Sequence, residues 1–138
     1  MHTLSEADIK KTIMDYLEYR SNGFVMEIQV SGRPLITKGG FKMIPFKGKY
    51  FRSGMSDVFY VENGKFYAFE VKKPTELKWW IRNKAKIMMQ NPKQITNKKH
   101  KHFYEQQEFI HRCKKAGCVA DFVCSLRQVV ELLPDLKK

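Results

Sequence analysis

Hydrophobic residues recur at helical spacing in four segments of the chain and at strand spacing in the segments between them. Capping residues, glycines and prolines give the approximate ends of each segment. The predicted helices cover residues 5–20, 75–90, 102–116 and 125–133, and the predicted strands cover residues 24–30, 41–46, 58–61, 66–69 and 119–124. Residues 31–34 are predicted to be a break and residues 97–102 a basic linker.

The strongest local pattern is a β-hairpin around Asn63-Gly64. Apolar runs at residues 58–61 and 66–69 flank this dipeptide, and Asn-Gly favours a two-residue turn in which both residues have positive φ. Pairing of the residues next to the turn, continued along both strands, places Asp57 opposite Glu70 and Met55 opposite Lys72. Strand side chains alternate between faces, so Glu70 and Lys72 are predicted to share the face that carries Asp57.

Two opposed carboxylates, Asp57 and Glu70, suggest a metal site. Directly opposed residues have Cβ atoms about 4.5–5.5 Å apart, and like charges at that spacing destabilise a sheet unless a cation offsets them. A hard cation such as Mg²⁺ binds through one or two carboxylates together with water and phosphate oxygens. Lys72 would then stabilise a metal-bound hydroxide or the charge that develops on a phosphate.

Glu70 and Lys72 also suit a simpler interpretation, in which they are solvated residues on an exposed strand face. The residues around them favour chemistry, because positions 66–71 are nearly continuously apolar. Such a run is typical of a strand covered on both faces, where an acid and a lysine need a partner.

Two further polar residues fall on predicted buried stripes. Glu6 lies on the stripe of Ile9 and Ile13, while Gln106 lies between Phe103 and Ile110. Glu6 is either an acid directed at an interior site or a first-turn glutamate favoured by the helix dipole. Gln106 either contacts a metal-bound water or scissile phosphate, or is a core amide bonded to the backbone.

The composition fits one globular domain that binds a polyanion. The chain has 138 residues, 43% of them hydrophobic, and a formal net charge of +12. An excess of this size favours nucleic acid as a partner. A membrane surface is the poorer alternative, since no apolar run approaches the roughly 18 residues of a membrane span.

The N-terminus shows no basic segment followed by an apolar one, so we expect no signal peptide and a cytoplasmic location in a bacterial or phage-type host. The three cysteines, Cys113, Cys118 and Cys124, have no C-x-x-C spacing. They are expected to be free thiols, without a disulfide framework or a structural zinc site.

Several basic and aromatic residues are candidates for contacting nucleic acid. They are Lys49, Arg52, Lys73, Trp79, Lys98 and Lys99. Trp79 lies off the apolar stripe of Leu77, Trp80, Ile81 and Met88, so three fates are open for it: stacking on an unpaired base, contact with a partner subunit, or packing within its own domain. Solvation is the simpler interpretation of each single lysine.

The order of these motifs resembles the VRR-NUC branch of the PD-(D/E)xK nuclease superfamily. The motifs are Glu6, Gly54-x-Ser56-Asp57, Glu70-x-Lys72, Gln106 and Gly117. The likeness covers most of the chain, and it depends on joint order and spacing. It implies an α/β fold of the restriction-endonuclease-like type, with an α-β-β-β-α-β core in which helices flank a central mixed sheet.

The same resemblance implies phosphodiester hydrolysis with Mg²⁺ or Mn²⁺. Asp57 and Glu70 would bind the metal together with the Val71 carbonyl, and Lys72 would position or stabilise the attacking hydroxide. The family usually has proline at the position of Ser56, a substitution that leaves the carboxylate in place.

Gln106 and Glu6 would complete that site. The resemblance further implies a stand-alone nuclease domain over residues 1–138, with a basic insertion at about 74–104 that is longer than the family's usual link. The insertion would carry specificity or dimer contacts.

The leading hypothesis is therefore a homodimeric, metal-dependent DNA endonuclease of DNA repair, selective for branched DNA such as Holliday junctions or flaps. One alternative is a catalytically inactive nucleic-acid-binding module of the same fold. Another is a toxin-like or regulatory protein-binding domain, whose binding would be insensitive to salt.

Overall fold

The computed structural model of the protein describes residues 4–28, 33–44 and 54–136, with the backbone alone for residues 33–37 and 41–44. The helices are α1 (Glu6–Tyr19), α2 (Pro74–Met88), α3 (Lys98–Lys115) and α4 (Leu126–Leu132), with a short 3₁₀ helix at Pro92–Gln94. The strands are β1 (Gly23–Glu27), β2 (Arg33–Thr37), β3 (Gly40–Ile44), β4 (Val58–Glu62), β5 (Lys65–Val71) and β6 (Val119–Val123).

The main sheet has four strands in the order β1-β4-β5-β6. Strand β4 is antiparallel to both β1 and β5, whereas β5 and β6 are parallel. Parallel neighbours need a long crossover, which α2 and α3 provide here. Strands β2 and β3 form a separate antiparallel pair.

Helices cover both faces of the main sheet. One apolar cluster joins α1 and α4 to the β-strands through residues such as Ile13, Tyr60 and Phe69. A second cluster, containing Trp80 and Phe103, joins α2 and α3 to the opposite face. The protein is thus an α+β fold with a four-stranded mixed sheet flanked by helices. Within the described ranges, no helix is long and apolar enough to cross a membrane.

The local predictions that depend on a few adjacent residues are confirmed. The hairpin turn has positive φ at both Asn63 (50°) and Gly64 (77°), and the β4–β5 register pairs Glu62 with Lys65. The Ser5 hydroxyl accepts a hydrogen bond from the Asp8 N–H, and the capping box is reciprocated.

Two predictions of loop structure are wrong. The predicted break at residues 31–34 overlaps β2, which begins at Arg33 and contains Pro34. In the part of the chain that the structure describes, β2 pairs with β3 alone, and a strand at the edge of a sheet tolerates proline on the side where its N–H groups have no strand to bind. The predicted basic linker begins with Asn97, whose side chain accepts a hydrogen bond from the His100 N–H and caps α3, so the lysines that follow are helical.

Helix α2 also differs from its prediction at both its start and its buried face. Lys73, not Thr75, is the N-cap, and Pro74 occupies the first turn. Proline suits this position because its fixed φ is helical and its missing N–H would have no partner there. Ile81 was expected to be buried but is 68% exposed, while Ile87 is 2% exposed.

A buried ion pair lies at the end of the sheet where the hairpin turn is. The guanidinium of Arg20, just after α1, contacts both oxygens of the Glu62 carboxylate at 2.7 and 2.9 Å. Arg20 also donates to the Pro134 carbonyl at 2.8 Å, and the Tyr60 hydroxyl donates to Glu62 at 2.8 Å. The hydrogen bonds between Arg20 and Glu62 raise the pKa of Arg20 and lower the pKa of Glu62. The pair is a structural clamp, and no sequence pattern indicated it.

Candidate functional site

The predicted site residues meet where the β4–β5 ladder ends. The last backbone pair of the ladder is Val58 with Phe69, so Asp57 and Glu70 lie just beyond it. They are joined through their side chains instead. The Asp57 N–H donates to the Glu70 carboxylate at 3.2 Å, and the Val71 N–H donates to the Asp57 carboxylate at 3.2 Å.

These crossed hydrogen bonds bring the two carboxylates together as the register predicts. The second expected pair, Met55 with Lys72, is not part of the ladder. The Lys72 N–H donates to the Val123 carbonyl at 2.9 Å, because β5 continues its pairing with β6 after β4 has ended. Met55 packs into the apolar cluster beneath α2 and α3.

Lys72 is a buried cation at the centre of the site. Both Lys72 and Glu70 are 5% exposed. The Lys72 ammonium lies 3.8 Å from the Glu70 carboxylate and 4.5 Å from the centre of the Phe103 ring. A lysine buried in this way needs a negative partner, and Glu70 supplies it.

The two carboxyl groups hold their protons more tightly than free side chains do. Burial raises the pKa of Asp57, against the Val71 hydrogen bond and the Lys10 charge, which lower it. Burial raises the pKa of Glu70 well above 4.5, and the Asp57 charge adds to this effect while Lys72 opposes it. Ionisation of either acid is therefore less favourable here than at an exposed position, mainly because of burial.

Helix α1 brings one acid and one base to the edge of the site. Glu6 is half-buried, and its charge raises the pKa of both Asp57 and Glu70. Lys10, one helical turn later, lies 4.0 Å from the Asp57 carboxylate and 3.4 Å from that of Glu27. Glu6 thus approaches the site as predicted, whereas Lys10 was missed, although its spacing from Glu6 places both on neighbouring parts of the helix surface.

Gln106 reaches the site from α3 and is 3% exposed. Its carboxamide nitrogen donates to Glu70, and the same nitrogen lies 3.0 Å from Nε2 of His102. Its oxygen is buried and has no hydrogen-bond partner among the described residues. His102 was not predicted, although it precedes Gln106 by one helical turn.

The loop before Asp57 lies directly on the backbone of α3. Gly54 has a φ of +76°, and a Cβ at this position would overlap the Glu105 carbonyl and come within 2.6 Å of the Gln106 nitrogen. Only glycine satisfies both constraints. The contact ties the segment that carries Asp57 to the helix that carries Gln106.

The donor set suits a hard divalent cation. Asp57 and Glu70 provide carboxylate oxygens, which are the ligands that Mg²⁺ and Mn²⁺ prefer. The charges of Asp57 and Glu6 also raise the pKa of Glu70, and a bound cation would offset that repulsion. Among the residues that the structure describes, no group of three or more His, Cys, Asp or Glu side chains is arranged to hold a metal. A metal here would therefore depend on this pair together with water, substrate or backbone oxygens, such as the predicted Val71 carbonyl.

The residues predicted to contact nucleic acid differ in where the structure places them. Lys49 and Arg52 lie outside the described residues. Lys73 is half-exposed beside Lys72, and Lys98 and Lys99 are exposed in the first turn of α3.

Trp79 is half-buried and packs within its own domain, which was one of its three predicted fates. Its ring lies 5.4 Å from that of Phe103 and 5.6 Å from that of His100, and the Lys99 ammonium lies 3.9 Å from its centre. The cation–π contact covers the tryptophan and leaves no open stacking surface on that side.

No protein-family model matches this sequence, and no curated protein matches it significantly.

Replacement of Gly54 by alanine tests the contact between the Asp57 loop and α3. Gly64 is the matched control, because its φ of +77° is nearly the same and nothing lies within 4 Å of an added Cβ. Gly64→Ala is expected to lower the free energy of unfolding by about 1–2 kcal/mol, from the positive φ alone. Gly54→Ala is expected to cost roughly a further 1–3 kcal/mol from overpacking. Equal losses in urea denaturation would show that the contact carries no energy.

Replacement of Glu70 by glutamine tests the raised pKa of this group. A raised carboxyl pKa stabilises the fold below the ordinary value of 4.5, and this stability is lost as pH rises through the folded-state pKa. Glu70→Gln should therefore gain stability relative to the wild type as pH rises from 5 to about 8. Urea denaturation at several pH values measures the difference, with exposed Glu131→Gln as control. A constant difference across this range would contradict the prediction.

Proposed function

We propose that this protein is a metal-dependent DNA endonuclease with a PD-(D/E)xK core of the VRR-NUC type, acting on branched DNA. The single observation that supports this most is the crossed pair of Asp57 and Glu70 beside the buried ammonium of Lys72. Two carboxylates and a lysine at one strand end are the groups that metal-assisted hydrolysis of a phosphodiester requires.

The order of elements supports the proposed core. Helix α1, strands β1, β4 and β5, the α2–α3 crossover and strand β6 follow an α-β-β-β-α-β order when the separate β2–β3 pair is treated as an insertion. The two acids then lie at one end of the central strand pair, and α3, the second helix of the crossover, adds Gln106.

In the proposed mechanism, Asp57 and Glu70 hold the metal and orient it through their fixed side chains. A divalent cation bound there would polarise a phosphate oxygen and lower the pKa of a bound water. The backbone N–H groups of Asp57 and Val71 bind one oxygen of each carboxylate, and Gln106 donates to the second oxygen of Glu70. Each carboxylate oxygen keeps a further lone pair with which it would bind the metal. This backbone support removes rotational freedom from the ligands before metal arrives.

Lys72 supplies the positive charge at the reacting phosphate. Its ammonium is already desolvated, and in a site of low dielectric its attraction to developing negative charge is stronger than in water. Glu70, whose carboxylate lies 3.8 Å from this ammonium, would hold the metal, and Lys72 would face the substrate phosphate. Glu6 and Lys10 lie near Asp57 on α1 and adjust the charge there.

The α2–α3 segment is the proposed DNA-binding surface. Lys98 and Lys99 are exposed at the start of α3, about 12 Å along the helix from Gln106 at ~1.5 Å per residue. A polar cavity of about 460 Å³ lies beside them, and its lining includes Gln90, Asn91 and Gln94. Lysines bind phosphates, and amide side chains bind base edges, so this surface suits a DNA strand that leads into the site.

A homodimer is part of the proposal, because a branched junction presents two strands for cleavage. Helix α2 exposes Ile81 (68%) and is followed by Met89 (87% exposed). A partner subunit covering these side chains would remove apolar surface from water.

Substitution of the site residues is expected to abolish cleavage while sparing DNA binding. Asp57→Asn and Lys72→Met each remove a charge at similar side-chain size, and each should reduce cleavage of a labelled four-way junction in Mg²⁺ on the order of 10²–10³-fold. Lys65→Met, at an exposed lysine at the other end of β5, is the control and should retain the cleavage rate.

Unchanged cleavage by either site variant would overturn the proposal. Calorimetry with Mn²⁺ adds a direct measure of binding, which Asp57→Asn should abolish. If the wild-type protein binds junctions but neither binds Mn²⁺ nor cuts DNA, the protein is instead a nucleic-acid-binding module. A panel of junction, flap, nicked and linear duplexes measures the substrate preference.

The DNA-binding surface is tested by removing charge at either end of α3. Lys98→Ala/Lys99→Ala should weaken junction binding and reduce the slope of log K against log salt by about 2, because each phosphate contact contributes ~0.9. Lys114→Ala/Lys115→Ala removes the same charge at the other end of the helix and should leave the slope nearly unchanged. Equal effects of the two pairs, measured by fluorescence anisotropy, would exclude a specific contact at the start of α3.

A further inference from the structure

The carboxamide of Gln106 has an orientation that its neighbours determine. Its nitrogen contacts two groups, the Glu70 carboxylate and Nε2 of His102. A carboxamide nitrogen carries two protons, so it can donate one hydrogen bond to each. Glu70 is an acceptor when ionised, and Nε2 of His102 is an acceptor only in the neutral imidazole with its proton on Nδ1.

The opposite orientation of the amide is unfavourable. With Glu70 ionised and the His102 ring protonated on Nδ1, it would place the Gln106 oxygen against two acceptors. With both N–H groups engaged, the amide oxygen remains free, buried and without a partner in the described part of the chain. A buried acceptor of this kind is normally satisfied by a water or a ligand.

We propose that His102 is a positioning residue, which accepts a hydrogen bond from Gln106 and thereby directs the Gln106 oxygen at the attacking water. This inference rests on the proposed function, since the water it concerns is the nucleophile of phosphodiester hydrolysis. Gln106 would accept a hydrogen bond from that water and fix its direction of attack. His102 would not touch the substrate and would act through Gln106.

The surroundings of His102 favour the neutral ring. Burial and the nearby charge of Lys72 lower its pKa, against smaller effects of Glu105 and Glu76, which raise it. The ring belongs to an exposed residue of α3, so solvent reaches it on the side away from Gln106. Protonation of Nε2 would place a donor against the Gln106 N–H group and break the contact.

Nitrogen-15 NMR of the histidine rings tests the contact without any catalytic measurement. At pH 7.5 without metal, His102 should show the neutral tautomer protonated on Nδ1. Gln106→Leu removes the donor and should shift His102 toward the tautomer protonated on Nε2, the form that free imidazole side chains favour. His111, exposed on the same helix, is the internal control and should not change. A His102 ring protonated on Nε2 in the wild-type protein would overturn the inference.

Cleavage kinetics test the role of the contact. His102→Phe keeps a planar ring but has no acceptor, and it should lower kcat roughly 10- to 100-fold with little change in KM. His102→Gln offers an amide oxygen as acceptor and should restore part of the rate. His111→Phe is the control and should cleave as the wild type does.

These measurements separate the two proposals. If the wild-type protein cleaves DNA and His102→Phe cleaves equally well, the positioning role is wrong and the proposed function stands. If the wild-type protein fails to cleave any DNA of the panel with Mg²⁺ or Mn²⁺, the proposed function and the role of the water fail together. The NMR result then still decides whether His102 orients Gln106.

Discussion

The end of the β4–β5 ladder depends on two backbone N–H groups that carboxylates satisfy. Beyond Val58 and Phe69 the strands no longer exchange backbone hydrogen bonds, so Asp57 and Val71 would have buried N–H groups without β4–β5 partners. The Glu70 and Asp57 side chains accept these bonds and thereby hold both acids at the strand ends. The hydrogen bonds that satisfy the backbone therefore also fix the two acids of the candidate site. The cost is two close negative charges in a buried place, which explains the raised pKa values and the presence of Lys72.

The two faces of the sheet are covered by different kinds of side chains. The α1–α4 side is a continuous apolar cluster, closed at its edge by the Arg20–Glu62 pair and its hydrogen bonds. The α2–α3 side combines an aromatic cluster around Phe103 with the polar groups of the candidate site. Helix α3 connects the aromatic cluster to the candidate site. It packs through Phe103, contacts Glu70 through Gln106, and supports the Asp57 loop at Gly54. A shift of α3 would therefore alter the site at several points together.

The sequence predicts well those features that depend on neighbours along the chain. The hairpin turn, its register, the Ser5 cap of α1 and the approach of Glu6 and Gln106 all follow from spacing within one or two turns or strands. The errors lie where a local pattern had competing solutions. Residues 97–102 have the composition of a linker, but Asn97 supplies the cap that allows a helix, and Pro34 is acceptable in a strand that pairs with β3 alone in the described part of the chain.

By itself, then, the sequence determined the hairpin, the buried faces of α1 and α3, and the set of acids, lysine and amide that lie together. Turn chemistry and side-chain periodicity act over short distances, which is why these features could be predicted. The tertiary structure alone decided what surrounds them. It buried Lys72 against Phe103, placed Lys10 beside Asp57, covered Trp79 with Lys99, and paired Arg20 with Glu62 across the fold. Most of these contacts join residues far apart in the chain, and their geometry depends on how helices seat on a twisted sheet, which no local pattern records.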